Sequence, residues 1–425
     1  MEQQERALIE FFEEGSKGIG NCELLGLEVE HFVIWQKSAP VAYEREGVPV
    51  GVKDILEYLS TYFPERTYNS QGDLLGLAGE DGSVTLEPAA QLEISCAPYA
   101  SVADIDSCYN RFRDHVGAFL DQFDAHLENW GYQPLKKAED LSLIPKGRYD
   151  FMDAYFDHIH SHGMQMMRAS ASTQVSVDYA DEADAVRKMR VAAALAPVLA
   201  AIADNTPIFE GEANHTPIRR LALWREVDNL RCGTIPHLFE PGFGFSSYAR
   251  WLLETPPIFV TRPAAGDETG DKLCGAFDVS AEEIYADAPL ERTDVEHISS
   301  MFWPDVRLKQ FVEVRPADCM PPEDIAGYVA LIKGIFYSED SLSGIEDFVG
   351  VRDGEWPLST EMVTDAIKQI QMYGFDGKVY GHTLAAWEEK VFSLARTALP
   401  EDERGYLDAL EAFAANKPFW TVRQA

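Results

Sequence analysis

Glu28 and Glu30 stand two residues apart in the run Gly26-Leu27-Glu28-Val29-Glu30-His31-Phe32. Two further runs repeat the mixture of acids and apolar residues: Leu86-Glu87-Pro88-Ala89-Ala90-Gln91-Leu92-Glu93 and Phe311-Val312-Glu313-Val314-Arg315. Side chains of an extended strand alternate with period two, so Glu28 and Glu30 share one face and leave Leu27 and Val29 to the other. Placing several like charges side by side is costly unless cations sit among them, and an all-oxygen donor set suits magnesium or manganese rather than zinc. One Glu-x-Glu pair is more often a solvated strand face. Three acidic segments, each alternating with residues that need burial, predict instead a sheet whose back packs on helices and whose front lines a cavity. Glu28, Glu30, Glu87, Glu93 and Glu313 are the candidate metal ligands.

The late acid is flanked by cations. In Arg307-Leu308-Lys309-Gln310-Phe311-Val312-Glu313-Val314-Arg315 the same alternation places Arg307, Lys309, Phe311, Glu313 and Arg315 on one face. An acid that holds metal between bases that hold phosphate oxygens suits a magnesium–polyphosphate site, with Lys309 and Arg315 as the nucleotide-binding pair. The chain lacks the Gly-x-x-x-x-Gly-Lys-Ser/Thr phosphate loop, so a nucleotide site has to be built another way. Between these segments, Thr173, Val175 and Val177 alternate with Gln174, Ser176 and Asp178, a polar strand face that would meet either ligand or water. Arg168 just before it could fork onto a carboxylate. The charged stretch Trp224–Gly233 reads as a substrate-facing loop or as surface ion pairs. His158, His160 and His162, followed by Gly163, read as a solvated turn in preference to a metal site.

The chain that positions these groups has 425 residues, 46% of them hydrophobic, which is ample for a large core. A formal net charge of −35 disfavours nucleic-acid and anionic-membrane partners, because phosphate repels such a surface at long range. The start, Met1-Glu2-Gln3-Gln4-Glu5-Arg6, lacks the basic-then-apolar pattern of a secretory signal, and no stretch is apolar enough to span a bilayer; the expectation is a cytoplasmic protein. Six scattered cysteines without a Cys-x-x-Cys pair predict buried thiols rather than a zinc site or a disulfide framework.

Helices are predicted over 101–129, with Ser101 as N-cap, from near Asp181 with Pro197 kinking or interrupting it, and over 322–338, 359–373, 382–398 and 401–415. Strands are predicted at 24–34, 84–95, 172–179 and 308–315, and the run Arg262–Asp271 as a surface loop. Without a regular βαβ rhythm the reading is an α+β fold on an antiparallel sheet. A single catalytic domain spans 1–425, with a helical C-terminal segment over about 355–425.

The acidic runs, with Met166-Met167-Arg168, Arg187-Lys188-Met189-Arg190, Asp228-Asn229-Leu230-Arg231-Cys232-Gly233 and Arg307 to Asp318, resemble in order the plant-type glutamate–cysteine ligases, over roughly 20–345. The resemblance implies a glutamine-synthetase-like fold, an antiparallel sheet curved into a funnel with helices outside. It implies magnesium, or manganese, held by Glu28 and Glu30, by Glu87 and Glu93, and by Glu313. It assigns Arg168 and Arg231 to glutamate carboxylates or the transferring phosphate; Arg315 joins them as a catalytic cation. The implied reaction consumes ATP to join the γ-carboxylate of glutamate to cysteine, the first step of glutathione synthesis. Two departures stand out: Ala89-Ala90 where the family usually has two glycines, and Cys232 with Arg225 where small polar residues are common. The second departure opens the alternative of a different amine acceptor; a non-catalytic ligand-binding regulator is the alternative of another class.

Overall fold

Ten strands form the central sheet of the computed structural model, which describes residues 2–263, 271–287 and 289–420. They are β1 (Leu25–Trp35), β2 (Ala39–Pro40), β3 (Glu65–Tyr68), β4 (Leu74–Gly79), β5 (Gly82–Leu86), β6 (Leu92–Tyr99), β7 (Ala125–Glu128), β8 (Ser172–Val177), β9 (Val306–Leu308) and β10 (Val312–Asp318). The order is β9-β10-β8-β1-β6-β5-β4-β3, each neighbouring pair antiparallel, with β2 and β7 also pairing with β1.

Register turns the alternation in sequence into two chemically different faces. Glu28 lies opposite Gln174 on one side and Ser95 on the other, Glu30 opposite Glu93, and Glu313 opposite both Ser176 and Arg307. The intervening residues Leu27, Val29, Ile94, Val175, Val312 and Val314 are buried on the reverse. The helices Val102–Leu120, Glu182–Ile202 and Pro322–Phe336 cover that apolar side. Removing it from water is worth roughly 1.5–3 kcal/mol for each fully buried Val, Leu or Ile side chain. His31, next to Glu30, turns to the reverse, where its ring nitrogens meet the Leu92 carbonyl at 3.0 Å and the Tyr109 hydroxyl at 2.8 Å. Burial holds its pKa down at about 4, so it stays neutral near pH 7 and has no part in the polar face.

Several predicted elements are shorter or divided. The helix expected over 101–129 is capped by Ser101, whose hydroxyl accepts from the Asp104 N–H at 3.0 Å, but it ends at Leu120. Asp124 is left-handed (φ 57°) and reverses the chain so that β7 can pair with β1. The helix capped by Asp181 runs as one element through Pro197 to Ile202. The span 401–415 is helical as α-helix only over Leu407–Ala415. The strand expected at 84–95 is two strands joined by a turn at Glu87–Gln91, and that at 308–315 is a hairpin whose turn is closed by Lys309 N–H donating to the Phe311 carbonyl at 2.9 Å. The loop expected over 262–271 is framed by the paired strands Phe259–Pro263 and Asp271–Gly275, and its residues 264–270 lie outside the described residues. Cys96, Cys108 and Cys319 are buried as expected, whereas Cys22, Cys232 and Cys274 are only half-buried.

The turn between β5 and β6 contains Ala90 at φ 67°, buried at 2% exposure. A Cβ in left-handed backbone costs roughly 1–2 kcal/mol, and a glycine there forfeits part of that saving through its freer unfolded chain. Ala90→Gly is therefore expected to stabilise the protein by about 0.5–1 kcal/mol, measured by chemical denaturation; destabilisation would mean that the Ala90 methyl contributes more by packing than its backbone costs.

One buried apolar cluster extends from Leu8 to Ala414 and takes in the C-terminal helices Thr360–Tyr373, Leu384–Ala398 and Leu407–Ala415. Among the described residues no helix is long and apolar enough to cross a membrane.

Candidate active site

The polar face of the sheet forms a wall of a cavity of about 530 Å³, a volume suited to small molecules. Glu28 and Glu30 from β1, Glu93 from β6 and Glu87 from the β5–β6 turn all line it. Glu30 is the best held: its carboxylate accepts from the Ser172 N–H (2.8 Å), the Ser172 hydroxyl (2.9 Å) and the Gln174 amide (3.2 Å). Even so, burial together with the nearby charges of Glu87 and Glu93 lifts it to about 8. Burial, then Glu313 and Glu93, lifts Glu28 to about 7. Burial and Glu87 do the same for Glu93, to about 7, against a 2.6 Å hydrogen bond donated by Thr85. These carboxyls resist ionisation because each added negative charge meets the others in a partly dry space.

A divalent cation would relieve that repulsion, and the all-oxygen set suits a hard ion. The fit is one of chemistry and charge, not of geometry: among the described residues no group of three or more His, Cys, Asp or Glu side chains is placed to hold a metal ion.

Glu313 behaves differently. It is fully buried, and burial alone would raise its pKa, yet Arg307, Lys309 and Arg315 hold it well below the usual carboxylate range. Arg307 donates Nε and Nη2 to the two carboxylate oxygens at 2.7 and 3.0 Å, Lys309 donates at 2.9 Å and Arg315 at 2.7 Å. All four residues come from the β9–β10 hairpin. Glu313 thus anchors three cations, and Arg307, Lys309 and Arg315 line the cavity. Arg315 also donates to the Gln174 side-chain oxygen, tying the cationic side to the strand that holds Glu30.

The two arginines assigned by resemblance lie elsewhere. Arg168 does not line the cavity: it donates to Asp153 at 2.7 Å and to the Leu141 carbonyl at 3.0 Å. Arg231 is wholly buried away from it, bound to Asp228 (2.6 Å), to the Tyr155 hydroxyl (2.7 Å) and to the Pro256 carbonyl. Both are held by protein partners, and neither is brought into this cavity with the other predicted site residues. Arg225 is likewise taken up by Asp305 and by Thr234 at 3.1 Å, and neither it nor Cys232 lines the cavity. His158, His160 and His162 are exposed at the end of a helix and in the turn after it.

Four cations of the cavity escaped the sequence reading: Lys146, Arg148, Arg220 and, on the helix Arg292–Ser299, Arg292. Lys146 and Arg148 enter from the start of the helix Gly147–His158, and Arg220 from the short helix Arg219–Trp224. Burial lowers the pKa of Lys146, with Glu87 acting to raise it. Arg220 is only 4% exposed, and its Nε has no hydrogen-bond partner. The pairs Lys-Gly-Arg and Arg-Arg beside apolar runs were the available signal, but short-range alternation carries no sign that they reach the sheet. The cavity therefore brings five carboxyls, Glu28, Glu30, Glu87, Glu93 and Glu296, together with seven cations, Lys146, Arg148, Arg220, Arg292, Arg307, Lys309 and Arg315.

An antiparallel sheet with helices on its apolar face and a cavity on its polar face is the architecture of the glutamine-synthetase-like fold. Among solved structures the chain resembles the glutamate–cysteine ligase of Francisella tularensis in complex with AMP, with a TM-score of 0.52 at 11% identity, covering 92% of this chain and 82% of that one. The model of glutamate-cysteine ligase family 2 matches residues 24–345, and the chain belongs to that family. Its relatives include glutamate–cysteine ligase B, chloroplastic, of Oryza sativa subsp. japonica, 31% identical over 72% of this chain. Another is the chloroplastic glutamate–cysteine ligase of Arabidopsis thaliana, 30% identical over 80%. The chain spans 61% and 64% of the lengths of these two relatives. Both are chloroplastic, as is that of Brassica juncea, and this overturns the cytoplasmic expectation drawn from the first residues.

Proposed function

We propose that the protein joins L-glutamate, through its γ-carboxylate, to L-cysteine, forming γ-glutamylcysteine, ADP and phosphate from ATP. The observation that carries this reading is one cavity that brings buried glutamates and cations together, in a chain of the glutamate–cysteine ligase family. Both reactants of the first step are anions, and they meet only where positive charge is supplied on both.

In this reading Lys309 and Arg315, with Arg307, bind the polyphosphate, and Glu313 fixes their positions. Glu28, Glu30, Glu87 and Glu93 would hold magnesium, or manganese. That metal would supply charge neutralisation between the polyphosphate and the reacting carboxylate. Arg220 and Arg148 face the same space and are suited to the α-carboxylate of the amino acid. An oxygen of the γ-carboxylate attacks the γ-phosphorus, the bond to the β–γ bridging oxygen breaks, and ADP leaves. The cysteine amine then attacks the acyl carbon, phosphate departs, and the amine gives up a proton. The enzyme's own contribution is orientation and exclusion of water from the acyl phosphate. Residues 1–425 are read as one catalytic domain, supported by the apolar cluster that runs from Leu8 to Ala414.

A different amine acceptor was grounded in Cys232 and Arg225, and the position of both outside the cavity removes that ground. Mass spectrometry of a reaction containing glutamate, ATP, magnesium and a panel of amines tests the reading. ATP-dependent γ-glutamylcysteine is expected; a γ-glutamyl product of another amine, or nucleotide binding without turnover on any amine, contradicts it.

A further inference from the structure

Arg220 enters the cavity from a strained position. The helix Arg219–Trp224 begins at Ile218, a β-branched residue in left-handed backbone (φ 48°). Such a conformation persists only where its surroundings over-determine it. The Ile218 N–H donates at 2.7 Å to Oδ2 of Asp204, which is 1% exposed and sits at the end of the helix Glu182–Ile202. The same oxygen accepts the indole N–H of Trp420 at 2.7 Å. Lys417 is buried and donates its ammonium to the carbonyls of Ile202 and Asp204 at 2.9 and 3.0 Å. A parallel strut comes from Asp318 on β10. Its Oδ2 accepts from the Asn205 N–H (2.9 Å) and the Thr206 hydroxyl (2.7 Å), and its Oδ1 lies 3.9 Å from Arg220 Nη1. Gly131 packs so closely on Asp318 that an added Cβ would stand 2.2 Å from Oδ2, so the carboxylate has no room to turn away.

Trp420 and Lys417 belong to the last described stretch of the chain, outside residues 24–345 that match the family. We infer that this C-terminal tail is a positioning strap: Trp420 and Lys417 fix Asp204, Asp204 fixes Ile218, and the short helix is thereby held so that Arg220 points into the cavity. The strap touches no substrate and acts through Arg220. The kinetic consequence rests on the ligase reading; the mechanical one does not.

Two variants of the full chain test it: Trp420→Phe, which keeps the ring but removes the donor, and Lys417→Met. Hydrogen exchange at Ile218–Trp224 is expected to quicken about tenfold or more in both, with the core strands β1 and β8 unchanged. In steady-state kinetics the KM for the amino acid that bears the carboxylate is expected to rise about 5- to 20-fold, with the KM for ATP within about twofold. Adding Trp420→Phe to Arg220→Lys is expected to cost less than the two single effects combined, since both act on one guanidinium. Unchanged exchange at Ile218–Trp224, exchange that quickens equally across β1 and β8, or additive effects on KM would each overturn the strap. Should no amino acid support turnover in the unsubstituted protein, the ligase reading fails, and the exchange measurement still decides the strap.

Discussion

Glu30→Gln is expected to lower kcat by roughly 10³-fold or more while the protein stays folded. Glu30 sits at the centre of the sheet, flanked by Glu93 on β6 and by Ser172 and Gln174 on β8. Its carboxyl is pushed up to about 8, so above that pH the folded protein bears a charge that its surroundings disfavour. For a carboxyl whose folded value is raised, the penalty is fully present above the folded value and is relieved as pH falls below it. Glutamine has the same shape without the charge. It is therefore expected to leave metal-free stability at pH 8.5 within about 1–2 kcal/mol of the parent, the lost acceptor for Ser172 offsetting the relieved repulsion. Denaturation and phosphate-release assays on the same preparation separate the two effects. Full turnover in the variant would remove Glu30 from the mechanism, and a collapsed fold would make its role structural.

Glu313→Ala is expected to act in the opposite way, through stability first. Removing the carboxylate leaves Arg307, Lys309 and Arg315 facing one another without a counter-charge, at a cost of about 3–5 kcal/mol as for other broken buried ion pairs. Lys309→Met, which removes the most exposed of the three cations, is expected to cost less than about 1 kcal/mol. The sign with pH is also opposite to that of Glu30. A carboxylate held well below its usual range contributes stability above the unfolded value near 4.5 and loses it as pH falls through the folded value, so the parent is expected to weaken in acid while Glu313→Ala weakens less. Urea titrations at pH 7 and pH 3.5 measure both differences; a loss under about 1 kcal/mol at pH 7 would mean that the three cations find other partners.

These contrasts explain which parts of the molecule were legible in its sequence. Period-two alternation in β1 and β8 translates directly into a polar and an apolar face, because register with neighbours preserves it. The caps Ser101 and Asp181 are local signals and mark their helices correctly. The two strands that turned out to be hairpins hide tight turns. In one of them Ala90 adopts a backbone that would ordinarily be marked by glycine. Lys146, Arg148 and Arg220 reach the cavity only through tertiary packing, which no short window of sequence encodes. Arg168 and Arg231 illustrate the converse: a matching arginine is no guarantee of a free one, since Asp153 and Asp228 already engage them.

The most direct measurement is calorimetric titration of manganese into the protein with a non-hydrolysable ATP analogue, in buffers of different ionisation enthalpy between pH 6 and 8. Carboxyls raised to about 7 and 8 are partly protonated across that range, so a cation binding them must displace protons. Release of about one proton or more per bound ion at pH 7 is expected, with affinity that rises with pH and falls in Glu30→Gln and Glu93→Gln. Manganese binding that releases no proton, ignores pH and survives both substitutions would contradict the assignment of the cavity's glutamates to a divalent cation.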